Sequence, residues 1–452
     1  MHAPELLSPA GTYRHMRFAF AYGADAVYAG QPRYSLRVRN NDFGLDNLLR
    51  GIEHARSRGK RFYVASNIAP HNAKLRTYLD DMAPIVEASP DALIMSDPGL
   101  IMMVRERWPE QPIHLSVQAN VVNHAAARFW QAQGISRIIL SRELSLEEIA
   151  EIRAECPSLD IETFVHGALC IAYSGRCLLS GYFNRRDPNQ GTCTNACRWQ
   201  YQTHAATTDD CGDLVPTSAQ PSVLIEDPQR SGELMPVHED EHGSYIMNSK
   251  DLRAVQHVAR LVEMGVSSLK IEGRTKSPYY VARTAQVYRR AIDDAVAGRP
   301  FDRRLMDELE NLANRGYTEG FYRRHVHDEY QNYERGHSIG VHQQFVGEVL
   351  GMEREGWLEV AVKNRFEVGD GVELMLPTGN RRFTLKAMMS SSGRPLEVAP
   401  GDGHRVRLAL EGESLSAAAR SQEALGFGLL LRDLPARQGG AVPLQADVQP
   451  RC

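Results

Sequence analysis

At 452 residues, with 42% hydrophobic and 24% charged residues, the chain exceeds one ordinary core and reads as a globular protein of about two or three domains. A net charge of −4 excludes a globally basic nucleic-acid binder, so any grip on RNA must come from a local patch. No apolar run approaches the ~18 residues that span a bilayer, and the start MHAPELLSPAGTYRH lacks the basic and apolar regions of a signal peptide. No membrane partner is expected; a cytoplasmic location with reduced thiols is.

Short apolar runs recur in the first part of the chain: ELLSP (5–9), AVYAG (26–30), RFYVAS (61–66), ALIMSD (92–97), IHLSVQA (113–119), RIILSR (137–142), IETFVHG (161–167) and SLKIEG (268–273). Amphipathic stretches such as YRHMRFAFAYG, NLLRGIEHARSRG, HAAARFWQAQG and SLEEIAEIRAE separate them. A glycine or proline often closes the helix just before the next run, as in GADAVY and GISRII, which is a helix C-cap feeding a buried parallel strand. Eight such runs predict an α/β chain, a (β/α)8 TIM-like barrel of about 250 residues plus insertions. An open doubly wound sheet is the alternative, although no GxGxxG follows any strand.

The rhythm breaks once. Strand seven ends near Gly167 and the eighth begins near Ser268, far beyond the ~30 residues of a βαβ unit. A cysteine-rich insertion at about 168–243 occupies the gap. SYIMNS (244–249) then reads as a short strand, and SKDLRAVQHVARLVEMG as a helix with Ser249 at its N-cap. SPYYVARTAQVYRRAIDDAVAG (277–298) predicts a long amphipathic helix and RRLMDELENLANRG a shorter one. From about 340 the period becomes 2, in QFVGEVLG, WLEVAVKN, GVELMLP, RRFTLKAM and RVRLAL, with VGDG and PTGN as turns. The expected division is a barrel domain over 1–335, a small all-β barrel domain over 336–433, and a disordered tail over 434–452.

Four of the seven cysteines, Cys170, Cys177, Cys193 and Cys197, lie in the loop that opens the insertion, spaced C-x6-C-x15-C-x3-C. Thiolates so grouped bind zinc or an iron–sulfur cluster, and the residues alone leave both open. Cys211 and Cys452 sit in polar context as free thiols.

Polar residues at the expected carboxyl ends of the strands, where barrel active sites form, are Ser8, Asn67, Asp97, Gln118, Asn120, Arg142, Glu143, His166, Glu272 and Arg274. His166 and Glu272 are the acid/base candidates, since histidine titrates near neutrality and a partly buried glutamate can be raised toward it. Asn67, Gln118, Asn120 and Glu143 are candidates for lining a substrate cleft. Arg142 and Arg274 suit a dicarboxylate, because a guanidinium fork pairs bidentately with carboxylate. For each the bland alternative is a helix cap or a loop bridge. Two basic loops add Arg33, Arg37 and Arg39 after strand two, then Arg176, Arg185, Arg186 and Arg198 among the cysteines. Beside Tyr34, Tyr182, Phe183 and Trp199 they fit a splayed, stacked RNA base better than a duplex. The bland alternative is a solvated basic loop.

The segments ETFVHGALCIAYSGRCLLSGY and NQGTCTNACRWQY resemble the signature of the collagenase-like peptidases of unknown catalytic type, family U, number thirty-two. ELLSPAG, GADAVYAG, VQAN, LSREL and LKIEGRTKSPYYV extend the resemblance over residues 5 to about 430. AGQPRYSLRVRNNDF and RDPNQGTCTNACRW are most similar to the branch of that family that hydroxylates tRNA. The resemblance implies hydroxylation of C5 of the tRNA wobble uridine to 5-hydroxyuridine, independent of oxygen and linked to prephenate, with an electron donor that the sequence does not name. It also implies a 4Fe-4S cluster on Cys170, Cys177, Cys193 and Cys197 in place of zinc, and prephenate as the dicarboxylate. The other function classes are a peptidase, as the family label suggests, and a zinc-stabilised non-catalytic RNA-binding protein. The run His238-Glu239-Asp240-Glu241-His242 matches H-E-x-x-H, but Pro236 precedes it and Gly243 follows in an acidic stretch, which argues against the helix a zinc protease needs.

Overall fold

The computed structural model describes residues 2–36, 43–169, 173–174, 176–177, 250–314, 316–323, 343–353, 356–410 and 415–434, with the backbone of six short strands between 206 and 245. The chain forms two compact units, Met1–Ile339 and Gly340–Cys452.

The first unit alternates strand and helix: β1 (Glu5–Pro9), α1 (Tyr13–Ala21), β2 (Ala26–Gly30), α2 (Leu45–Ser57), β3 (Arg61–Ser66), α3 (Asn72–Glu87), β4 (Ala92–Met95), α4 (Pro98–Arg107), β5 (Ile113–Leu115), α5 (His124–Ala132), β6 (Arg137–Ile139), α6 (Leu146–Glu155) and β7 (Asp160–Ala168). Local chemistry starts several helices where they are needed. Asp97 caps α4 by accepting from the Leu100 amide at 2.9 Å, with Pro98 at the first helical position. Ser145 and Glu148 form a capping box on α6.

The inserted segment contributes β8 (Ala206–Thr208), β9 (Leu214–Pro216), β10 (Leu224–Glu226), β11 (Leu234–Pro236), β12 (His238–Asp240) and β13 (Gly243–Tyr245), paired as three antiparallel hairpins. β14 (Asp251–Arg253), α7 (Val258–Glu263), β15 (Ser268–Ile271), α8 (Pro278–Val296), α9 (Arg304–Glu310) and β16 (Tyr317–Thr318) complete the unit. β1 to β7 pair in parallel in chain order, and β15 closes the ring by pairing with both β7 and β1. The eight apolar runs are the eight strands of a closed parallel barrel.

The barrel interior carries an ion network. Glu162 of β7 is fully buried and sits 2.8 Å from Lys270 Nζ and 3.4 Å from Arg137. Arg137 also meets Glu5 at 2.6 Å, and Tyr63 donates to Glu5 at 2.7 Å. Opposite charges from β1, β6, β7 and β15 therefore neutralise one another where water cannot, which is the condition for ionised groups to be buried at all. The Lys270 ammonium lies 4.3 Å from the centre of the Tyr28 ring, a further contact that replaces water.

β7 is longer than its neighbours, and its upper part leaves the ring. Its last residues pair antiparallel with β14, Asp251 opposite Ala168 and Arg253 opposite His166, and β16 continues the sheet beyond. The expected helix capped by Ser249 is corrected here. Residues 251–253 are strand, and the helix begins at Val258 with His257 as its N-cap. The exposed backbone edge of β7 demands a partner, so Asp251–Arg253 pairs with it rather than coiling, and Leu252 is buried in the process. Ser249 itself lies outside the described residues.

The second unit holds β17 (Gln343–Met352), β18 (Trp357–Val362), β19 (Phe366–Glu367), β20 (Gly371–Met375), β21 (Arg381–Thr384), β22 (Met388–Ser390), β23 (Val398–Ala399), β24 (Arg405–Ala409), α10 (Gln422–Leu425) and β25 (Leu429–Asp433). Seven strands form one antiparallel sheet in the order β21-β20-β25-β17-β18-β24-β22, and β19 pairs with β23. Alternation supplies its core: Leu358, Val360 and Val362 on β18 and Val406 and Leu408 on β24 point inward. Two irregularities in β17, at 345–347 and 349–351, bend the sheet around that core. No helix among the described residues is long and apolar enough to cross a membrane.

Replacing Glu162 with alanine strands the Lys270 cation in the barrel, while Arg137 keeps Glu5 at 2.6 Å. Loss of one partner of such a buried pair costs about 3–5 kcal/mol, so Glu162→Ala should unfold the first unit at markedly lower urea. A midpoint equal to that of the wild type would show that the network contributes no stability.

Candidate active site at the barrel mouth

The loops after β3, β5, β6 and β15 bring several of the expected residues together. Asn67, just past β3, donates through Nδ2 to Ser116 Oγ at 3.2 Å and to Gln118 Oε1 at 3.0 Å, while its Oδ1 accepts from the Leu36 amide at 3.2 Å. Gln118 lies on a single 3-10 turn, Val117–Ala119, that follows β5, and Asn120 closes that turn in the left-handed region with φ +52°. Both amides reach into the cysteine loop. Gln118 Nε2 donates to Ser174 Oγ at 3.1 Å, and Asn120 Nδ2 donates to the Ser174 carbonyl at 3.3 Å. Ser174 lies between Cys170 and Cys177, so the barrel mouth holds the chain directly at a point between the first two cysteines.

A second contact set comes from β6 and β15. Arg142 pairs with Glu272 at 3.1 Å, donates to the Ala168 carbonyl at 3.4 Å, and packs its guanidinium 3.9 Å over the Phe164 ring. Both side chains are largely buried yet retain some exposure, as a pair at the rim of a cleft would. Arg274 is buried and donates to Ser35 Oγ at 2.8 Å. Gly30 makes room for it, since a Cβ there would overlap the Arg274 guanidinium and the Ser35 hydroxyl. Glu143 accepts from the neighbouring Ser141 hydroxyl.

His166 is not brought to this cleft. Phe164 stands opposite Lys270 on β15, but the next pair is His166 with Ile271, so β7 carries one extra residue there. Such a bulge reverses the side-chain alternation. The His166 ring turns to the helix side, 5.7, 5.6 and 5.4 Å from the rings of Tyr280, Tyr288 and Tyr317, with Nδ1 3.3 Å from the Tyr288 hydroxyl. Burial, reinforced by the Lys276 and Arg253 cations, pushes its pKa down to about 3, so the ring is neutral at physiological pH. Of the two acid/base candidates, Glu272 alone pairs with Arg142 after the strand ends and keeps some exposure. Gly167 follows with φ +110°, and a Cβ there would press on the Glu272 carbonyl and the Tyr280 hydroxyl. That residue must be glycine for the chain to turn out of the barrel into the cysteine loop.

Other expectations resolve into supporting roles. Arg33 pairs with Asp81 of α3 at 2.7 Å on the surface, and Tyr34 is fully buried, donating to Asp81 at 2.5 Å, so its ring offers no stacking face. Asp97 is a helix cap. Cys177 carries a half-buried thiol, and Arg176 beside it is exposed. Cys170, Cys193, Cys197, Arg37, Arg39, Arg185, Arg186 and Arg198 lie outside the described residues. The first part of the H-E-x-x-H run, His238–Asp240, is β12 of a hairpin rather than helix, so it lacks the one-faced spacing a zinc protease requires. Sequence reasoning missed Ser174 and Tyr173, because their importance comes from the tether that Gln118 and Asn120 create.

Barrel strands whose following loops converge on one polar mouth are the architecture of barrel enzymes. The chain belongs to peptidase family U32: the family model matches residues 11–332, and that of the family's C-terminal domain matches residues 342–419. It is 63% identical over 425 residues to tRNA hydroxylation protein P of Escherichia coli K12, covering 90% of this chain and 94% of the relative. It is 61% identical over 427 residues to tRNA hydroxylation protein P of Haemophilus influenzae, covering 90% and 93%. The 23S rRNA 5-hydroxycytidine C2501 synthase of Escherichia coli is 29% identical over 427 residues, 90% of this chain and 58% of that one.

The tyrosine cage makes a pH prediction. The folded His166 pKa of about 3 lies below the unfolded value of 6.5, so the unfolded state binds the proton first as pH falls. Stability from this group is therefore complete above pH ~6.5 and declines toward pH ~3, by roughly 2 kcal/mol at pH 5. His166→Phe should lose less stability than the wild type between pH 7 and pH 5 in paired denaturant titrations. Identical pH slopes would remove His166 as the cause.

Proposed function

We propose that this chain hydroxylates C5 of the wobble uridine in tRNA to 5-hydroxyuridine, without molecular oxygen and with prephenate as co-substrate, using a 4Fe-4S cluster held by Cys170, Cys177, Cys193 and Cys197. The observation that carries the reading is the 63% identity, over nearly the full length of both chains, to a protein named for tRNA hydroxylation. The mouth geometry is compatible with it, because the polar residues at the strand ends are bonded to the cysteine loop rather than remote from it.

The donor set fits an iron–sulfur cluster. Four cysteines fall between 170 and 197, and the described one, Cys177, is partly buried three residues past the tethered Ser174. Cys156, by contrast, is buried at the end of α6 against the His124 carbonyl and is no ligand candidate. When bound, such a cluster supplies one-electron transfer in a partly buried setting. Replacing C5–H by C5–OH with oxygen at the level of water or hydroxide is a net two-electron oxidation of the base, so the proposal includes a partner outside this chain that accepts two electrons, in place of the electron donor expected from the sequence.

The chain's own residues have definite tasks in this scheme. Arg142 and Arg274 present guanidinium groups to the carboxylates of prephenate, Arg274 being oriented by Ser35 and given room by Gly30. Glu272 is the group that moves the proton leaving C5, with Arg142 holding its carboxylate in place. Asn67, Gln118 and Asn120 keep the cysteine loop against the mouth.

Mass spectrometry of tRNA nucleosides from a deletion strain tests the substrate. The 5-hydroxyuridine derivatives should disappear and return with the wild-type chain, but not with Cys170→Ala, and only weakly with Arg142→Ala. Unchanged derivatives in the deletion strain, with any second pathway also removed, would overturn the assignment. Anaerobically purified protein should be brown and lose its colour in Cys170→Ala; stoichiometric zinc without iron would overturn the cluster.

A further inference from the structure

Tyr173 is half exposed, at 50%, although it lies in the loop between the first two cysteines of the site. Its turn is not left loose. The next residue, Ser174, is held at both its hydroxyl and its carbonyl by Gln118 and Asn120, and the Tyr173 carbonyl accepts from the Arg176 amide at 3.1 Å. Gln118 is in turn held by Ser116 and Asn67, so the tether runs back to the ends of β3 and β5. The fold thus spends two carboxamides of the barrel mouth on fixing the backbone beside a ring that remains in water. Exposed Arg176 follows three residues later.

An aromatic face on fixed backbone at the edge of a barrel mouth, beside an exposed guanidinium, matches the chemistry that receives an unstacked base and its phosphate. We propose that Tyr173 is the platform on which the target pyrimidine of the RNA stacks when it leaves its own strand, with Arg176 drawing the adjoining phosphate. This rests on the RNA-modifying reading above and adds to it the residue that binds the base. Tyr173 acts in binding: it lowers KM for the RNA, and kcat is set elsewhere.

Fluorescence anisotropy on the anaerobic holoenzyme tests it, with an anticodon stem-loop carrying uridine at the wobble position and the same stem-loop lacking that base. For a base–aromatic stack, Tyr173→Ala should weaken binding about tenfold and Tyr173→Trp should stay within about twofold of the wild type. Tyr173→Leu, which keeps apolar volume without a planar face, should be as weak as Tyr173→Ala, with the iron content of all three unchanged. Removing the base should cost the wild type about tenfold and Tyr173→Ala less than about threefold, because the two deletions remove one contact. Wild-type affinity in Tyr173→Ala or Tyr173→Leu, or losses from ring and base that simply multiply, would overturn the stacking role. Failure of the wild type itself to bind the stem-loop would overturn the RNA reading instead.

Discussion

The barrel depends on one buried carboxylate. Glu162 is wholly removed from water and is compensated by Lys270 on one side and Arg137 on the other, with Glu5 completing the charge balance. These groups come from strands far apart in sequence, and β15 reaches its place only after the long insertion. Closing the ring and pairing the charges are therefore the same event. An apolar interior would have packed without regard to which ions meet; this one is stable only with β15 between β1 and β7.

The upper part of β7 then divides the structure's chemistry. Below the bulge, Glu162 and Phe164 face the interior; above it, His166 faces the tyrosines of α8 and β16. One extra residue thus removes an imidazole from the cleft and leaves Glu272 and Arg142 as the charged pair there. Gly167 lets the chain turn away directly afterwards, and β14 covers the edge that β7 leaves open. The strand serves as wall, packing surface and entry to the cysteine loop within nine residues.

The described start of the cysteine loop is consequently tied to the barrel mouth. Three side chains that precede or follow short strands, Gln118, Asn120 and Arg142, donate to Ser174 and Ala168 on either side of Cys170. The backbone at Ala168 and Ser174 is thereby tied to the strands beneath it. That support joins the family's cysteine signature to the polar residues of the scaffold.

The sequence by itself determined the eight strands, most of the intervening helices and the all-β second unit, because these follow from local periodicity, caps and spacing. It also pointed to Asn67, Gln118, Asn120, Arg142, Glu272 and Arg274, since polar residues ending buried runs in a parallel barrel share one face. Only the tertiary structure decided the orientation of His166, because period-2 alternation fails at a bulge that is visible only in the pairing with β15. It likewise decided that Asp251–Arg253 is strand rather than helix, that Tyr34 is buried and paired to Asp81, and that Tyr173 stays exposed on a tethered turn. Each of these depends on a partner distant in sequence, and no local pattern encodes which partner the fold will supply.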